Sequence, residues 1–200
     1  MSNPLQFSRR DLLAKLAAGA SLVAAADAQH VHEAVAQEKA AQKGAYKPKA
    51  LNAHEYATLR HLSDLIIPAD DRSPGALAAG AADFIDFLCG ASDEMRDIYT
   101  GGLLWLDDTM AHRYDGKTFL DAAPAEQTAM LDLIAFRKNQ SPELNAGIQF
   151  FAFCRRMVAD AYYTTPIGYK EVGFMGNGAM SEFSVPKEAV EYALKRSGLA

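Results

Sequence analysis

An all-α domain is the fold this sequence predicts, and three observations carry the prediction. Apolar residues recur at spacings of three and four through most of residues 52–163, no alternating β-branched run reaches strand length, and Pro, Gly, Ser or Asn punctuates the periodic segments. The 200 residues are 50% hydrophobic and 22% charged, which is enough apolar material for one packed core. The expected architecture is a compact bundle of about five to seven helices, with an irregular aromatic-rich loop near the C-terminus.

The first segment is set apart. "SRRDLLAKLAAGASLVAAADA" places Arg9 and Arg10 before Leu12, Leu13 and a mild Ala-rich run, and ends on the small-x-small triplet Ala26-Asp27-Ala28. The run contains Lys15 and few large side chains, so it is too short and too weakly apolar to span a bilayer. Cationic start, apolar stretch and cleavable triplet in that order make residues 1–28 a signal peptide, and Ser-Arg-Arg-Asp-Leu-Leu resembles the twin-arginine export signal. Proteins read by the twin-arginine translocase cross the membrane folded, so the expected location is periplasmic or exported.

Residues 29–50 are rich in Ala, Gln, Lys and Glu and read as a polar helical arm or linker ending near Pro48. His30 and His32 beside Glu33 have metal-ligand chemistry, but with no further ligand in view they read as solvated. The helical domain is then expected over 51–200.

Asn52 with Glu55 three residues on starts a helix, Tyr56, Leu59, Leu62 or Ser63, and Ile66 share its apolar face, and Pro68 stops it. "PADDRSPG" is a turn, in which the adjacent Asp70 and Asp71 cap or are solvated. "AAGAADFIDFLCG" is a short helix presenting Phe84, Phe87 and Leu88, with Gly90 as its stop. Ser92 caps a long helix with Met95, Tyr99, Leu103, Leu106 and Met110 toward the core. Gly101-Gly102 within it marks the close approach of another backbone. Pro124 opens a helix carrying Met130, Leu131, Ile134 and Ala135.

The helix expected from Pro142 to about Tyr163 is apolar on two sides. Leu144, Ile148, Phe151, Val158 and Tyr162 form one stripe, and Phe150, Phe153, Cys154, Met157 and Ala161 a second. Such a helix is either central in its bundle or shared between two bodies. After it, "YYTTPIGYKEVGFMGN" packs Tyr162, Tyr163, Ile167, Tyr169, Phe174 and Met175 around Pro166 and several glycines, the composition of a contact patch. Its glycines follow no strand and do not make a nucleotide fingerprint. A last helix begins around Ser184, Pro186 and Glu188 and ends near Lys195-Arg196, before Gly198.

A formal net charge of −5, more negative still once the leader's Arg9, Arg10 and Lys15 are removed against Asp11 and Asp27, argues against nucleic acid as a partner. The two cysteines, Cys89 and Cys154, fit no haem, zinc or iron–sulfur spacing. A Cys89–Cys154 bridge, a disulfide to a partner chain and two buried thiols all stay open. No catalytic residue, cofactor-binding loop or metal site is expected in this chain.

Three stretches, "LIIPADDRSPGALAAGAADFIDFL", "FFAFCRRM" and "YYTTPIGYKEVGFMGN", resemble subunit 3, the small subunit, of the gluconate 2-dehydrogenase family. With the leader in front, the resemblance spans nearly the whole chain. It implies a non-catalytic helical subunit that binds, stabilises and co-exports a large flavoprotein dehydrogenase acting on sugars, sugar acids or polyols. FAD would belong to that partner, and in several relatives a multihaem cytochrome c takes the electrons onward, so membrane association would come through the complex. The interface expected on this reading is Phe150, Phe153, Cys154, Met157, Tyr162, Tyr163, Pro166, Ile167, Tyr169, Phe174 and Met175.

Two other classes compete. A stand-alone exported binding protein would line a pocket with Trp105 and tyrosines. A hydrolase or isomerase would combine Asp70 and Asp71 with His61 or His112.

Overall fold

The computed structural model describes residues 28–174 and 185–198. Their elements in order are α1 (Ala28–Ala41), α2 (Ala53–Ile66), α3 (Gly75–Ala79), α4 (Ala81–Ala91), α5 (Asp93–Arg113), α6 (Pro124–Ala135), a 3-10 turn (Arg137–Asn139), α7 (Asn145–Tyr163), α8 (Pro166–Glu171) and α9 (Lys187–Ser197). The described residues form no strand, and seven of the helices have seven or more residues, so the fold is the expected all-α bundle.

Local signals start the helices where the sequence places them. The Asn52 side chain accepts from the backbone of His54 and Glu55, both at 2.9 Å, and Glu55 Oε2 accepts from Asn52 N at 2.8 Å, a complete capping box. Ser92 Oγ accepts from Met95 N at 3.3 Å. Boundaries moved elsewhere. Gly90 lies inside α4, which ends against Ser92, because a glycine with φ < 0 can continue a helix. The left-handed residue is Gly80 (φ 75°), which closes α3. The last long helix starts at Asn145 rather than Pro142, after a turn in which Leu144 N and Asn145 N donate to Ser141 O.

α7 is the central helix. It packs against α2, α3, α4, α5, α6 and α8, which is why it is apolar on both stripes. Its junction with α5 is reciprocal. A Cβ on Gly102 of α5 would lie 2.0 Å from the Phe150 ring of α7, and a Cβ on Gly147 of α7 would lie 2.0 Å from the Trp105 ring of α5. Each helix gives up a side chain where the other inserts an aromatic, so the expected close approach at Gly101-Gly102 is to a ring, not to a backbone. Tyr99 closes the joint edge-on to Phe150, with centroids 5.9 Å apart at 84°.

Residues 28–51 lie on the bundle with one face docked and the other in solvent. α1 packs on α4, burying Val35, and the His32 ring lies 4.7 Å from the Phe84 ring. Two acids on α4 hold the segment. Asp83 accepts from Tyr56 Oη and pairs with Lys39 Nζ at 2.6 Å. Fully buried Asp86 accepts from Tyr46 Oη at 2.9 Å and from the backbone N–H groups of Lys49, Ala50 and Leu51 at 2.8, 3.2 and 2.8 Å. A carboxylate that receives four donors is a stable way to bury that charge, and it turns the chain from α1 into α2.

Candidate partner-binding surface

The corner between α7 and α8 is built by two sequence blocks that are far apart in the chain. In the PADDRSPG turn, Asp70 Oδ1 accepts from Arg72 N at 2.8 Å and Ser73 N at 2.7 Å, and these bonds hold its pKa below the ordinary carboxylate value. Gly75 (φ 75°) lets the turn close on its own entrance, since a Cβ there would lie 2.6 Å from Ala69 N. Ser73 is thereby set against the Tyr162 hydroxyl, which in turn donates to Glu171 Oε2. At the other side, Thr165 Oγ1 donates to Tyr162 O at 2.6 Å and accepts from Gly168 N at 3.2 Å. Pro166 fits the first position of α8. Gly168 is needed because a Cβ there would lie 2.4 Å from Tyr162 O.

This scaffold presents apolar side chains to solvent. Tyr163, Tyr169, Val172 and Phe174 are 41%, 36%, 60% and 50% exposed, with Pro166 also exposed and Ile167 half-buried. The Tyr169 and Phe174 rings pack 5.4 Å apart, and Phe174 N donates to Tyr169 O at 2.9 Å, so the end of the loop folds back on α8. A cluster of this kind, exposed and rich in aromatics, has the composition of a protein contact.

The interface expected from sequence divides here. Phe150, Phe153, Cys154, Met157 and Tyr162 are buried in the chain's own core, so their side chains face other helices of this chain and not an outside surface. That corrects the reading of the second α7 stripe as a contact face. Tyr163, Pro166, Tyr169 and Phe174 are exposed, and Met175 lies outside the described residues, as do Arg9, Arg10, Leu12, Leu13 and Ala26. Ala28 is the first residue of α1. Val172, the most exposed member of the cluster, escaped the sequence reading because a lone valine next to glycine gives no periodic signal.

Cys89 and Cys154 are both free and buried. Burial pushes the Cys154 thiol up to about 12 and the Cys89 thiol well above its ordinary value, with Asp86 adding to the latter. The bridge between them is not formed, and in this chain both are buried thiols.

The other candidates sit in separate local roles. His61 Nε2 meets Gln127 Oε1 at 2.9 Å, His112 Nδ1 meets Asp108 O at 2.7 Å, and Asp70 holds its turn. His32 Nε2 contacts Thr164 Oγ1 at 2.9 Å, and His30 lies 3.6 Å from Glu33. Among the described residues no group of three or more His, Cys, Asp or Glu is arranged to hold a metal ion. Trp105 packs in the core over Gly147. No described helix is long and apolar enough to cross a membrane.

The family model of gluconate 2-dehydrogenase subunit 3 matches residues 53–178, from the first residue of α2 through both the PADDRSPG turn and the TPIG corner. The chain belongs to the gluconate 2-dehydrogenase subunit 3 family. In this subunit 3 protein two of the three stretches that carried the resemblance meet through Ser73 and Tyr162. The matched span includes the acids of α4 but begins after α1 and most of their donors, and it stops before α9. No curated protein and no solved structure matches the chain.

Proposed function

We propose that this chain is the non-catalytic small subunit of a flavin-dependent dehydrogenase that oxidises a sugar, sugar acid or polyol. In this role it binds and stabilises the flavoprotein, and it carries the flavoprotein across the membrane on its own twin-arginine leader. The observation that carries the reading is the family membership joined to the exposed aromatic corner at α8, an apolar surface that a subunit of a complex would cover. α9 supports it further. Its residues bury no side chain, and Val190, Tyr192 and Leu194 stand 43%, 64% and 39% exposed. FAD then resides in the large subunit, and a multihaem cytochrome c is a fitting electron acceptor for the complex.

Co-purification tests the reading. A tagged copy of this chain, expressed with its untagged genomic neighbours, is expected to bring down a large yellow protein with a flavin absorption spectrum. Recovery of the tagged chain alone, as a monomer on gel filtration, would favour the stand-alone binding protein instead.

A further inference from the structure

Of the three stretches that carried the family resemblance, FFAFCRRM (residues 150–157) has no part in the Ser73–Tyr162 junction, and it has an outward side of its own. At about 100° per residue, Ala152, Arg155, Arg156, Ala159 and Tyr163 of α7 fall within an arc of about 100°. Ala152, Arg155, Arg156 and Tyr163 are exposed and Ala159 is half-buried, so the arc is a solvent-facing strip, separate from both apolar stripes. It runs into the aromatic corner at Tyr163. Each guanidinium on it rests on a ring of its own helix: Arg155 Cζ lies 5.8 Å from the Phe151 centroid and Arg156 Cζ 5.4 Å from that of Phe153. Both rings are buried, so they are fixed supports. A guanidinium held over a ring is restricted beforehand and keeps its N–H donors free for a partner.

Those donors meet no acid of this chain. Lys39, Lys49, Arg96 and Lys117 each pair with a carboxylate, whereas Arg155 and Arg156 form no ion pair among the described residues. Asp160, one turn along, pairs with neither, and Glu171 of α8 accepts from Tyr162. By helix rise, Arg155 stands about 12 Å from Tyr163 along the axis. A contact of standard size, about 800 Å² on each partner, reaches about 16 Å from its centre. A partner centred on the corner therefore covers both guanidiniums as well. Covering them with apolar surface would strip water from two cations and return nothing, a cost that a carboxylate placed opposite removes. We infer that Arg155 and Arg156 anchor carboxylates of the flavoprotein: its surface over α7 presents Asp or Glu side chains, each accepting two parallel N–H bonds from a guanidinium, beside an apolar patch that covers Tyr163 and Tyr169. The inference rests on the reading of the corner as the flavoprotein contact and adds the chemistry of the partner's side.

The test uses the tagged full chain expressed with its untagged genomic neighbours. Arg155→Gln with Arg156→Gln removes the charges and keeps long polar side chains at exposed positions, and recovery of the flavoprotein at physiological salt is expected to fall at least about tenfold. Arg155→Lys with Arg156→Lys keeps the charge but not the two-pronged geometry, so its recovery should lie between the two. In that complex a carbodiimide, which joins an amine to a carboxylate in direct contact, is expected to link position 155 or 156 to Asp or Glu of the flavoprotein, read from peptide masses. The linkage decides the matter if the Gln chain does not fold. Equal recovery with the native and Gln chains would overturn the inference, as would a Lys complex with no link at either position. Vesicles of phosphatidylcholine with phosphatidylglycerol cover the other anionic partner: binding that the Gln chain loses, with flavoprotein recovery unchanged, would assign the guanidiniums to a membrane and overturn it too. Failure of the native chain to bring down any flavoprotein would instead remove the subunit reading itself, and this inference with it.

Discussion

The hydroxyls of Ser73 and Tyr162, 89 residues apart in sequence, are hydrogen-bonded to each other in the interior, and the Tyr162 hydroxyl donates to Glu171 Oε2. This relay ties the PADDRSPG turn to the base of α8 and so holds the aromatic corner at a fixed angle to the bundle. Tyr162→Phe keeps the ring and removes only the relay. It should lower stability by about 1–2 kcal/mol, because Ser73 then lies buried opposite a carbon. Urea unfolding of the isolated chain checks this, and an unchanged midpoint would show that the relay contributes nothing.

The reciprocal joint between α5 and α7 makes a sharper prediction. Gly102→Ala and Gly147→Ala each place a methyl carbon 2.0 Å from an aromatic ring. Each should destabilise by about 1–3 kcal/mol or more, since a packed interior cannot give by that much without moving a helix. Gly90→Ala is the opposite case, because nothing lies within 4 Å of its Cβ position in α4. That change should stabilise by about 0.5–1 kcal/mol, the ordinary helical difference between the two residues. Thermal melts of the three variants, ranked in that order, check the joint.

His32 gives the fold a pH dependence. Burial disfavours its cation and lowers its pKa from 6.5, and a hydrogen bond to the Ala161 backbone opposes this only in part. A folded-state pKa below the unfolded one means that the unfolded chain takes up the proton first. The contribution of His32 is therefore whole above 6.5 and is lost as pH falls through that value toward the folded pKa. Between about pH 7 and about pH 5 the melting temperature should fall further for the native chain than for His32→Gln. Parallel curves would remove His32 as the cause.

The exposed corner is tested by Tyr169→Ala combined with Phe174→Ala. Both side chains are substantially exposed, so the isolated chain should fold as before, while recovery of the flavoprotein with it should drop severalfold. Undiminished recovery would place the contact elsewhere, with α9 the next surface to truncate.

Export is tested at the arginine pair. Changing Arg9 and Arg10 to Lys keeps the charge but removes the planar, multi-donor geometry of guanidinium. Both this chain and its flavoprotein are expected to accumulate in the cytoplasm. Arrival of the flavoprotein in the periplasm while this chain is retained would sink the escort role.

What the sequence determined by itself is whatever depends on neighbours within about one helical turn. The Asn52–Glu55 box, the Ser92 cap, the Pro124 start and the apolar stripe of α5 were legible because the interacting groups are three or four residues apart. The all-α class followed from them, and the three stretches carrying the family resemblance could be read directly. Tertiary structure alone decided the rest. The second stripe of α7 looks the same in sequence whether a partner or the chain's own helices cover it, and only the packing of six elements around α7 shows that Phe150, Cys154 and Met157 are core. Gly102 announces a close approach without saying that a ring 48 positions along fills it. Asp83 and Asp86 sit in an apolar run and give no sign that they are buried, because their donors come from Lys39, Tyr56 and residues 46–51, brought to them by the fold. Burial is a property of what arrives from elsewhere in the chain, and a local pattern does not encode it.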